Sequence, residues 1–370
     1  MLKLDEYIKK NRIEKPVKLT DSWYGEMVKG TRPAFYDVPV NDGEKKVFCF
    51  ISYPTTTKPK DGYPAVLLIH GGNGEAFYEM SRLWADRGFI TICPDFNGKY
   101  AKTVNDRQVV NIDGGNEGYG SVLDLFDEHT WAYFSVLSAM RAIDVLFSLE
   151  DVDKNNVFSC GLSWGGVVQL LLSSVENRLK ASSVIYSSAF LLNSDWGKGV
   201  VSSLSKEDKL TWDKFIDPKN YLDKINTPLF FTAGTDDIAF KMESRRLTSS
   251  RIKSPVYFGL VKNFPHGNFY GFEQLESVDF FNRVKNNEEI PSPKINFNGD
   301  VLTILPFSVD SEIHLCFTCE SVEDYDKQNW ELLPIDTTYK CKIPNNSTAF
   351  FVIEKLKNGL RYSSDMIRLK

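Results

Sequence analysis

The sequence predicts an α/β fold, in which helices flank a mostly parallel sheet, followed by a small C-terminal all-β sandwich. Between about residues 45 and 285, short β-branched and aromatic runs alternate with longer helical patterns, as strands and crossover helices do in such sheets. Beyond about residue 290 the runs become short and alternating, with turn signals at Asn298-Gly299 and Asn358-Gly359. The chain has 370 residues, more than one core usually serves, which favours two domains.

Several of the predicted strands are almost entirely apolar, as strands buried on both faces of a sheet are. The strand candidates are residues 47–53, 65–69, 89–93, 157–160, 181–186, 229–232 and 256–260. A helix is predicted from Thr130, because Val136, Met140, Ile143 and Phe147 recur at i, i+4, i+7 and i+11 and form an apolar stripe.

A polar run with two prolines, NNEEIPSPK, follows the last helical pattern and is typical of a linker. We therefore expect a lead-in with a helical start over residues 1–40, the α/β domain over residues 41–289 and the β-sandwich domain over residues 290–370. No repeat period or low-complexity stretch is evident in the sequence.

Composition argues against several classes of partner. The net charge is −5, with Lys and Arg spread along the chain, so the sequence predicts no nucleic-acid-binding face. It predicts no membrane partner either, since no run is long enough to span a bilayer. The N-terminus lacks an apolar export segment, and Cys49, Cys93 and Cys160 lie in apolar strand-like runs. These features favour a reducing, cytoplasmic location, and no residue predicts an oligomeric state.

A Gly-Leu-Ser-Trp-Gly-Gly run at residues 161–166 lies between the strand-like run VFSC and the apolar helical run VVQLLL. In a strand-to-helix turn of the G-x-S-x-G type the serine backbone is strained, and the positions two residues before and after it must lack side chains. Gly161 and Gly165 meet that requirement. The pattern predicts Ser163 as a nucleophile at a helix N-terminus, with an ordinary tight turn as the alternative.

A serine hydroxyl is a poor nucleophile unless a base takes its proton, so this hypothesis requires a histidine. In enzymes with this elbow, the chain order is serine, acid, histidine. Of the four histidines, His70 and His129 precede Ser163, and His314 lies in the predicted sandwich. His266, in the run Asn-Phe-Pro-His-Gly after the last α/β strand, is therefore the predicted base. A solvated loop side chain is the alternative.

The acid is expected on the loop after the preceding strand, where residues 229–237 read LFFTAGTDD. A carboxylate there would accept the imidazole N–H, hold the tautomer and stabilise the imidazolium. Asp236 and Asp237 both lie in this loop. The Gly-x-x-Asp spacing favours Asp237, and Asp236 is expected to cap the following turn.

Negative charge that develops on a carbonyl oxygen is commonly stabilised by backbone N–H groups. One such donor is predicted at Trp164, the residue after Ser163. A second is predicted in the run HGGNG at residues 70–74, where Gly72 or Asn73 is the expected donor. A plain tight turn is the alternative for this run.

Two further clusters are interpreted as structural. The glycine-rich run at residues 113–120 lacks the preceding strand of a phosphate-binding loop and is predicted to be a long loop near a pocket mouth. His314, Cys316, Cys319 and Cys341 match no common zinc spacing, and a strand would point Cys316 and Cys319 to opposite faces. We therefore expect no cofactor and no metal.

Together these motifs make the chain resemble the acetyl xylan esterase and dienelactone hydrolase branch of the α/β-hydrolases. The resemblance covers about residues 35–285. The segments that carry it are the Thr-Trp-Ala-Tyr run from Thr130, Val152-Asp153, the GLSWGG elbow, VIYSSAFL, AGTDD and FPHG. It implies an α/β-hydrolase fold and a metal-independent carboxylesterase. Trp196 and Trp212 are candidate pocket walls, with lid or core packing as the alternative.

The expected function is hydrolysis of short-chain, chiefly acetyl, esters through an acyl-enzyme on Ser163. The resemblance implies carbohydrate esters, so the expected partner is a small-molecule or oligosaccharide ester. A serine peptidase like the prolyl oligopeptidases is one alternative, although their large propeller has no counterpart in the lead-in. A catalytically silent carbohydrate-binding protein is the other.

Overall fold

The structure is a computed structural model in which strands and helices alternate through most of the chain. The residues that it describes are 1–21, 30–40, 43–72, 74–97, 103–104, 107–108, 130–193, 204–237, 239–322 and 328–369.

The described strands form one large mixed sheet, a three-stranded sheet and a two-stranded ribbon. In the α/β part the strands are β1 (Leu19–Asp21), β2 (Thr31–Val40), β3 (Gly43–Ser52), β4 (Tyr63–Ile69), β5 (Ile90–Pro94), β6 (Thr103–Val104), β7 (Arg107–Gln108), β8 (Val152–Leu162), β9 (Ala181–Ile185), β10 (Leu229–Gly234) and β11 (Val256–Val261). In the C-terminal part they are β12 (Lys294–Asn298), β13 (Val301–Leu305), β14 (Glu312–Thr318), β15 (Trp330–Ile335), β16 (Lys340–Lys342), β17 (Ala349–Lys355), β18 (Arg361–Ser363) and β19 (Ile367–Arg368).

Helices precede and connect the strands of the α/β part. The α-helices are α1 (Leu4–Asn11), α2 (Tyr78–Ala85), α3 (Trp131–Ser148), α4 (Trp164–Ser173), α5 (Lys206–Thr211), α6 (Met242–Ser249), α7 (Asn268–Phe272) and α8 (Leu275–Asn286). A π-helical turn spans Trp212–Ile216, and 3₁₀ turns span Leu191–Asn193, Pro218–Asn220 and Leu222–Lys224. None of the described helices has the length and apolar character needed to cross a membrane.

The large sheet has the order β1-β2-β3-β5-β4-β8-β9-β10-β11-β18-β17-β14-β15. From β5 to β11 the neighbours pair in parallel, whereas β1, β2 and β3 pair antiparallel to their neighbours. The sequence prediction of a mostly parallel sheet is confirmed, and each of its predicted strands overlaps one of β3, β4, β5, β8, β9, β10 and β11. Parallel strands end at a common edge, so the loops after β4, β8, β10 and β11 meet there.

Apolar side chains cover both faces of the parallel strands. On β4, Leu67 and Ile69 belong to a core cluster with residues of α3 and α4. Val66 and Leu68, on the opposite face, belong to a second cluster with residues of α2 and α8. All four side chains are fully buried. A strand buried on both faces needs apolar residues at every position, and for this reason its sequence is a continuous apolar run.

Helix α3 is the helix predicted from Thr130. The Thr130 hydroxyl accepts a hydrogen bond from the Tyr133 N–H at 3.4 Å, which caps the helix N-terminus. Val136, Met140 and Ile143 of the predicted stripe are buried in the core cluster that lies against the sheet.

Strand β2 lies in the segment that the sequence assigns to the lead-in. It pairs with β3 along ten residues, from Thr31 opposite Ser52 to Val40 opposite Gly43. Pro33 and Pro39 obscure the strand in the sequence, because proline is rare in paired strands. Both prolines lie outside the three positions, 34–36, at which β1 pairs with β2.

The C-terminal strands form two packed layers, as the sandwich prediction requires. One layer is the sheet β12-β13-β16. The other layer continues the large sheet, because β18 pairs with β11 at Ser363 opposite Phe258. Leu302, Leu315 and Phe350 lie in the apolar cluster to which both layers contribute. The division of the chain at residues 40 and 289 stays a prediction.

Candidate active site

Ser163 occupies a sharp turn between β8 and α4. Its backbone has φ 56° and ψ −125°, a conformation that residues other than glycine rarely adopt. A Cβ atom on Gly161 would lie 2.2 Å from the Gly165 carbonyl oxygen. A Cβ atom on Gly165 would lie 2.3 Å from the His70 carbonyl oxygen. Both glycines are therefore required by close backbone contacts around the strained serine.

A hydrogen-bonded chain connects Ser163, His266 and Asp237. His266 Nδ1 lies 2.9 Å from Asp237 Oδ1, and His266 Nε2 lies 2.8 Å from Ser163 Oγ. A carboxylate oxygen only accepts, so Nδ1 carries the proton and donates to Asp237. With the proton on Nδ1, Nε2 accepts the hydrogen bond of the Ser163 hydroxyl. The structure thus brings together the three residues that the sequence predicts from separate loops.

The two neighbouring aspartates have different environments. Asp237 is buried, and its Oδ1 also accepts the backbone N–H groups of Ala239 at 2.8 Å and Phe240 at 3.0 Å. Asp236 is exposed, and its Oδ1 accepts the Thr235 hydroxyl at 2.9 Å. The prediction that Asp236 caps the following turn is wrong, because the Asp237 carboxylate faces inward and makes that cap.

Two aromatic rings hold the imidazole of His266. Its centroid lies 4.5 Å from that of Tyr186 and 6.0 Å from that of Phe240, with Phe240 nearly parallel. The buried Tyr186 hydroxyl donates to the Gly267 carbonyl at 3.2 Å, and burial raises the pKa of Tyr186, which stays a neutral donor. Sequence patterns did not single out Tyr186 or Phe240. Tyr186 is the last residue of the predicted strand 181–186, and Phe240 follows Asp237 by three positions.

The loop after β4 is anchored by His70. Its fully buried imidazole accepts the Phe96 N–H at Nε2, 2.9 Å away, and donates from Nδ1 to the Gly71 carbonyl at 2.7 Å. The loop packs on the elbow, because a Cβ atom on Gly72 would lie 2.4 Å from Cδ1 of Trp164. Gly72 therefore lies beside the turn that carries the serine.

The structure describes two of the three predicted oxyanion donors, Trp164 and Gly72. The Trp164 N–H belongs to the first turn of α4, where backbone donors have no partner within the helix. Gly72 lies against the Trp164 ring, as described above. Asn73 lies outside the described residues, so the choice between Gly72 and Asn73 stays open.

An aromatic wall adjoins the elbow. The Trp164 ring contacts Trp212 at 5.9 Å and Phe240 at 6.1 Å between centroids, both edge to face. Trp212 is buried in the core cluster that contains α3 and α4, which agrees with the core-packing interpretation. Trp196 and the glycine-rich run at residues 113–120 lie outside the described residues.

Metal-binding side chains are not grouped in the described part of the chain. His, Cys, Asp and Glu residues there form no cluster of three or more with the arrangement of a metal site. Cys316 is buried in β14, whereas Cys319, just after that strand, is exposed. The two thiols therefore lie in different environments.

Residues 53–276, more than half of the chain, match the dienelactone hydrolase family. The chain belongs to this family. The matched range contains Ser163, Asp237 and His266, so it includes all three residues of the hydrogen-bonded chain described above. Family membership classes the protein with the hydrolases of the α/β-hydrolase superfamily, as the resemblance of its motifs implied.

A curated relative, the acetyl esterase Axe7A of Xylanibacter ruminicola, is 27% identical over 200 residues, which are 50% of this chain and 45% of the relative. The chain thus spans about half the length of that relative.

Two solved structures share the fold. Acetyl xylan esterase 1 of Thermoanaerobacterium sp. superposes with a TM-score of 0.57 at 16% identity, covering 76% of this chain and 92% of that one. The acetyl xylan esterase of Paenibacillus sp. R4 gives a TM-score of 0.53 at 16% identity, covering 75% and 92%.

Proposed function

We propose that the protein is a serine carboxylesterase that hydrolyses acetyl and other short acyl esters of carbohydrates. The observation that carries this proposal is the hydrogen-bonded chain from Ser163 through His266 to Asp237. A serine that is hydrogen-bonded to an imidazole, which a buried carboxylate orients in turn, is the arrangement used for nucleophilic acyl transfer. The acetyl esterase relative supports acetate as the acyl part of the substrate. The resemblance of the motifs supports a carbohydrate as the alcohol part.

The first step forms an acyl-enzyme. Ser163 Oγ attacks the ester carbonyl carbon while His266 Nε2 takes the hydroxyl proton, and a tetrahedral intermediate forms. His266 then gives this proton to the alkoxide oxygen as the bond between the acyl carbon and that oxygen breaks, and the alcohol leaves. Asp237 keeps its charge throughout and holds the proton on Nδ1.

The second step releases the acid. A water molecule attacks the acyl carbon and gives its proton to His266 Nε2. When the second tetrahedral intermediate collapses, His266 returns a proton to Ser163 Oγ, and the carboxylic acid departs. Each step thus uses the same imidazole, first as base and then as acid. The cycle ends with the enzyme in its starting state.

The oxyanion of both intermediates requires preorganised donors. We assign the Trp164 N–H as one donor and the N–H of Gly72 or Asn73 as the other. His70 acts as a positioning residue, because its two hydrogen bonds fix the glycine loop against the elbow.

Hydrolysis of p-nitrophenyl acetate, butyrate and octanoate tests the proposal. We expect the wild type to prefer acetate and Ser163→Ala to lose at least about 10⁴-fold in kcat, because no nucleophile remains. Thermal melting of both proteins checks that the variant is folded. A wild type without activity, or a variant with undiminished activity, would contradict the proposal. Acetylated xylo-oligosaccharides then test the carbohydrate alcohol.

A further inference from the structure

A groove of about 550 Å³ lies between the segment that carries His266 and the β17–β18 hairpin. Aromatic and polar side chains from both segments line it. The residues used below are Phe264, Tyr270, Glu273, Leu275, Glu276 and Arg361.

The aromatic side of the groove is built on the loop of His266. Phe264 precedes this histidine by two positions and Tyr270 follows it by four. The rings of Phe264 and Tyr270 meet edge to face, with centroids 6.1 Å apart. Gly267 lies directly under the Tyr270 ring, since a Cβ atom there would lie 3.2 Å from Cδ2. A ligand in the groove would therefore touch the loop that presents the proposed base.

The opposite side of the groove is fixed to the same segment. The Arg361 N–H donates to Glu276 Oε1 at 3.1 Å, and the Arg361 guanidinium lies 3.6 Å from the same oxygen. Glu276 is buried near the start of α8. The hairpin is thus tied to the helix that borders the groove, so the groove is already formed in the free protein.

The side chains that line the groove favour some classes of ligand over others. Tyr270 is 53% exposed and Leu275 is 52% exposed, so the groove presents apolar surface to solvent. Glu273 and Glu276 against Arg361 give a net charge of −1 among the lining residues, which disfavours phosphate and carboxylate ligands. A purely apolar ligand would desolvate the exposed Glu273 carboxylate and the half-exposed Arg361 guanidinium without replacing their hydrogen bonds to water.

A neutral sugar ring satisfies both requirements. Its C–H face packs on an aromatic ring, and its hydroxyls donate to the exposed Glu273 carboxylate and accept from the half-exposed Arg361 guanidinium. We propose that this groove binds sugar rings of an oligosaccharide ester whose acyl group is at Ser163. The inference rests on the proposed function and deepens it, because it assigns the C-terminal β17–β18 hairpin to substrate binding.

Calorimetric titration of Ser163→Ala protein with acetylated xylotetraose tests the groove without turnover. Adding Tyr270→Ala should weaken binding about tenfold, because the stacking ring is lost. Tyr270→Phe keeps the ring and should bind within about twofold of the parent. Phe297→Ala is the matched control, since Phe297 is 40% exposed on β12 outside the groove, and it should leave the affinity unchanged.

A second variant tests a polar side chain that lines the groove. Glu273→Ala removes an exposed acceptor and should weaken binding about threefold. Unchanged affinity in Tyr270→Ala, or no binding by the Ser163→Ala parent, overturns the proposal. Hydrolysis of p-nitrophenyl acetate by the wild type is a separate readout, so a failure of the esterase proposal is distinguishable from a failure of the groove.

Discussion

His266 connects the proposed nucleophile to the proposed acid. Its two ring nitrogens face Asp237 and Ser163, and its ring contacts those of Tyr186 and Phe240. The carboxylate of Asp237 performs two tasks at once, since one oxygen accepts both the imidazole N–H and the backbone donors that follow it. The same atom therefore fixes the acid loop and the tautomer of the proposed base.

The paired aspartates allow a matched test of this arrangement. Asp237→Asn should lower kcat on p-nitrophenyl acetate about 10⁴-fold, because an amide facing Nδ1 favours the wrong tautomer. Asp236→Asn, one residue away and exposed, should keep kcat within about twofold. Steady-state kinetics of both variants measure the difference. Equal losses, or a larger loss in Asp236→Asn, would remove Asp237 from its proposed role.

Asp217 joins two irregular segments that flank the parallel strands. It follows the π-helical turn Trp212–Ile216 and is fully buried. Its carboxylate accepts the N–H groups of Phe190 at 3.0 Å, Leu191 at 2.8 Å and Lys219 at 2.9 Å. Burial raises the pKa of Asp217, and these three donors oppose that rise. The segment after β9 is therefore tied to the segment before β10 by one side chain.

Removing this carboxylate should destabilise the fold. Asp217→Ala leaves buried N–H donors unsatisfied and should lower the free energy of unfolding by about 2–4 kcal/mol. Asp223→Ala is the control, because Asp223 is largely exposed and its nearest ion-pair partner, Lys253, is 3.9 Å away. Its effect should stay within about 0.5 kcal/mol. Urea unfolding measures both, and equal midpoints would show that the Asp217 contacts contribute nothing.

At the scale of the whole molecule, the sheet runs continuously from the N-terminal strands into the C-terminal part. Core clusters on both faces bury cysteines from distant strands: Cys49, Cys93, Cys160 and Cys316. Burial raises the pKa of Cys93, Cys160 and Cys316 to about 12 and that of Cys49 further. These thiols therefore lack both access and thiolate character at neutral pH.

Thiol labelling of the native protein distinguishes the buried cysteines from the accessible ones. With a disulfide reagent at about pH 8, we expect Cys319 to react fast, the half-buried Cys341 to react more slowly, and the other four thiols to react only after denaturation. Cys319→Ser should remove the fast phase. More than two reactive thiols in the native protein would show that the core opens far more readily than its burial indicates.

Sequence patterns predicted what depends on local chemistry. Strands buried on both faces need apolar residues at every position, and so runs such as AVLLI identified the parallel strands. The serine elbow was predictable because its glycines are required within five residues of chain. The order serine, acid, histidine then pointed to Asp237 and His266, whose proximity to Ser163 the structure shows.

Tertiary structure decided what depends on partners distant in the chain. Strand β2 pairs along β3 despite two prolines, and β18 joins the C-terminal strands to β11 through an edge that no local pattern encodes. The two rings that contact His266 come from the end of β9 and from the loop after β10, and the groove needs a hairpin about ninety residues further along the chain. Periodicity encodes which face of an element is buried, whereas the choice of partner depends on non-local packing and hydrogen bonding that only the folded chain brings together.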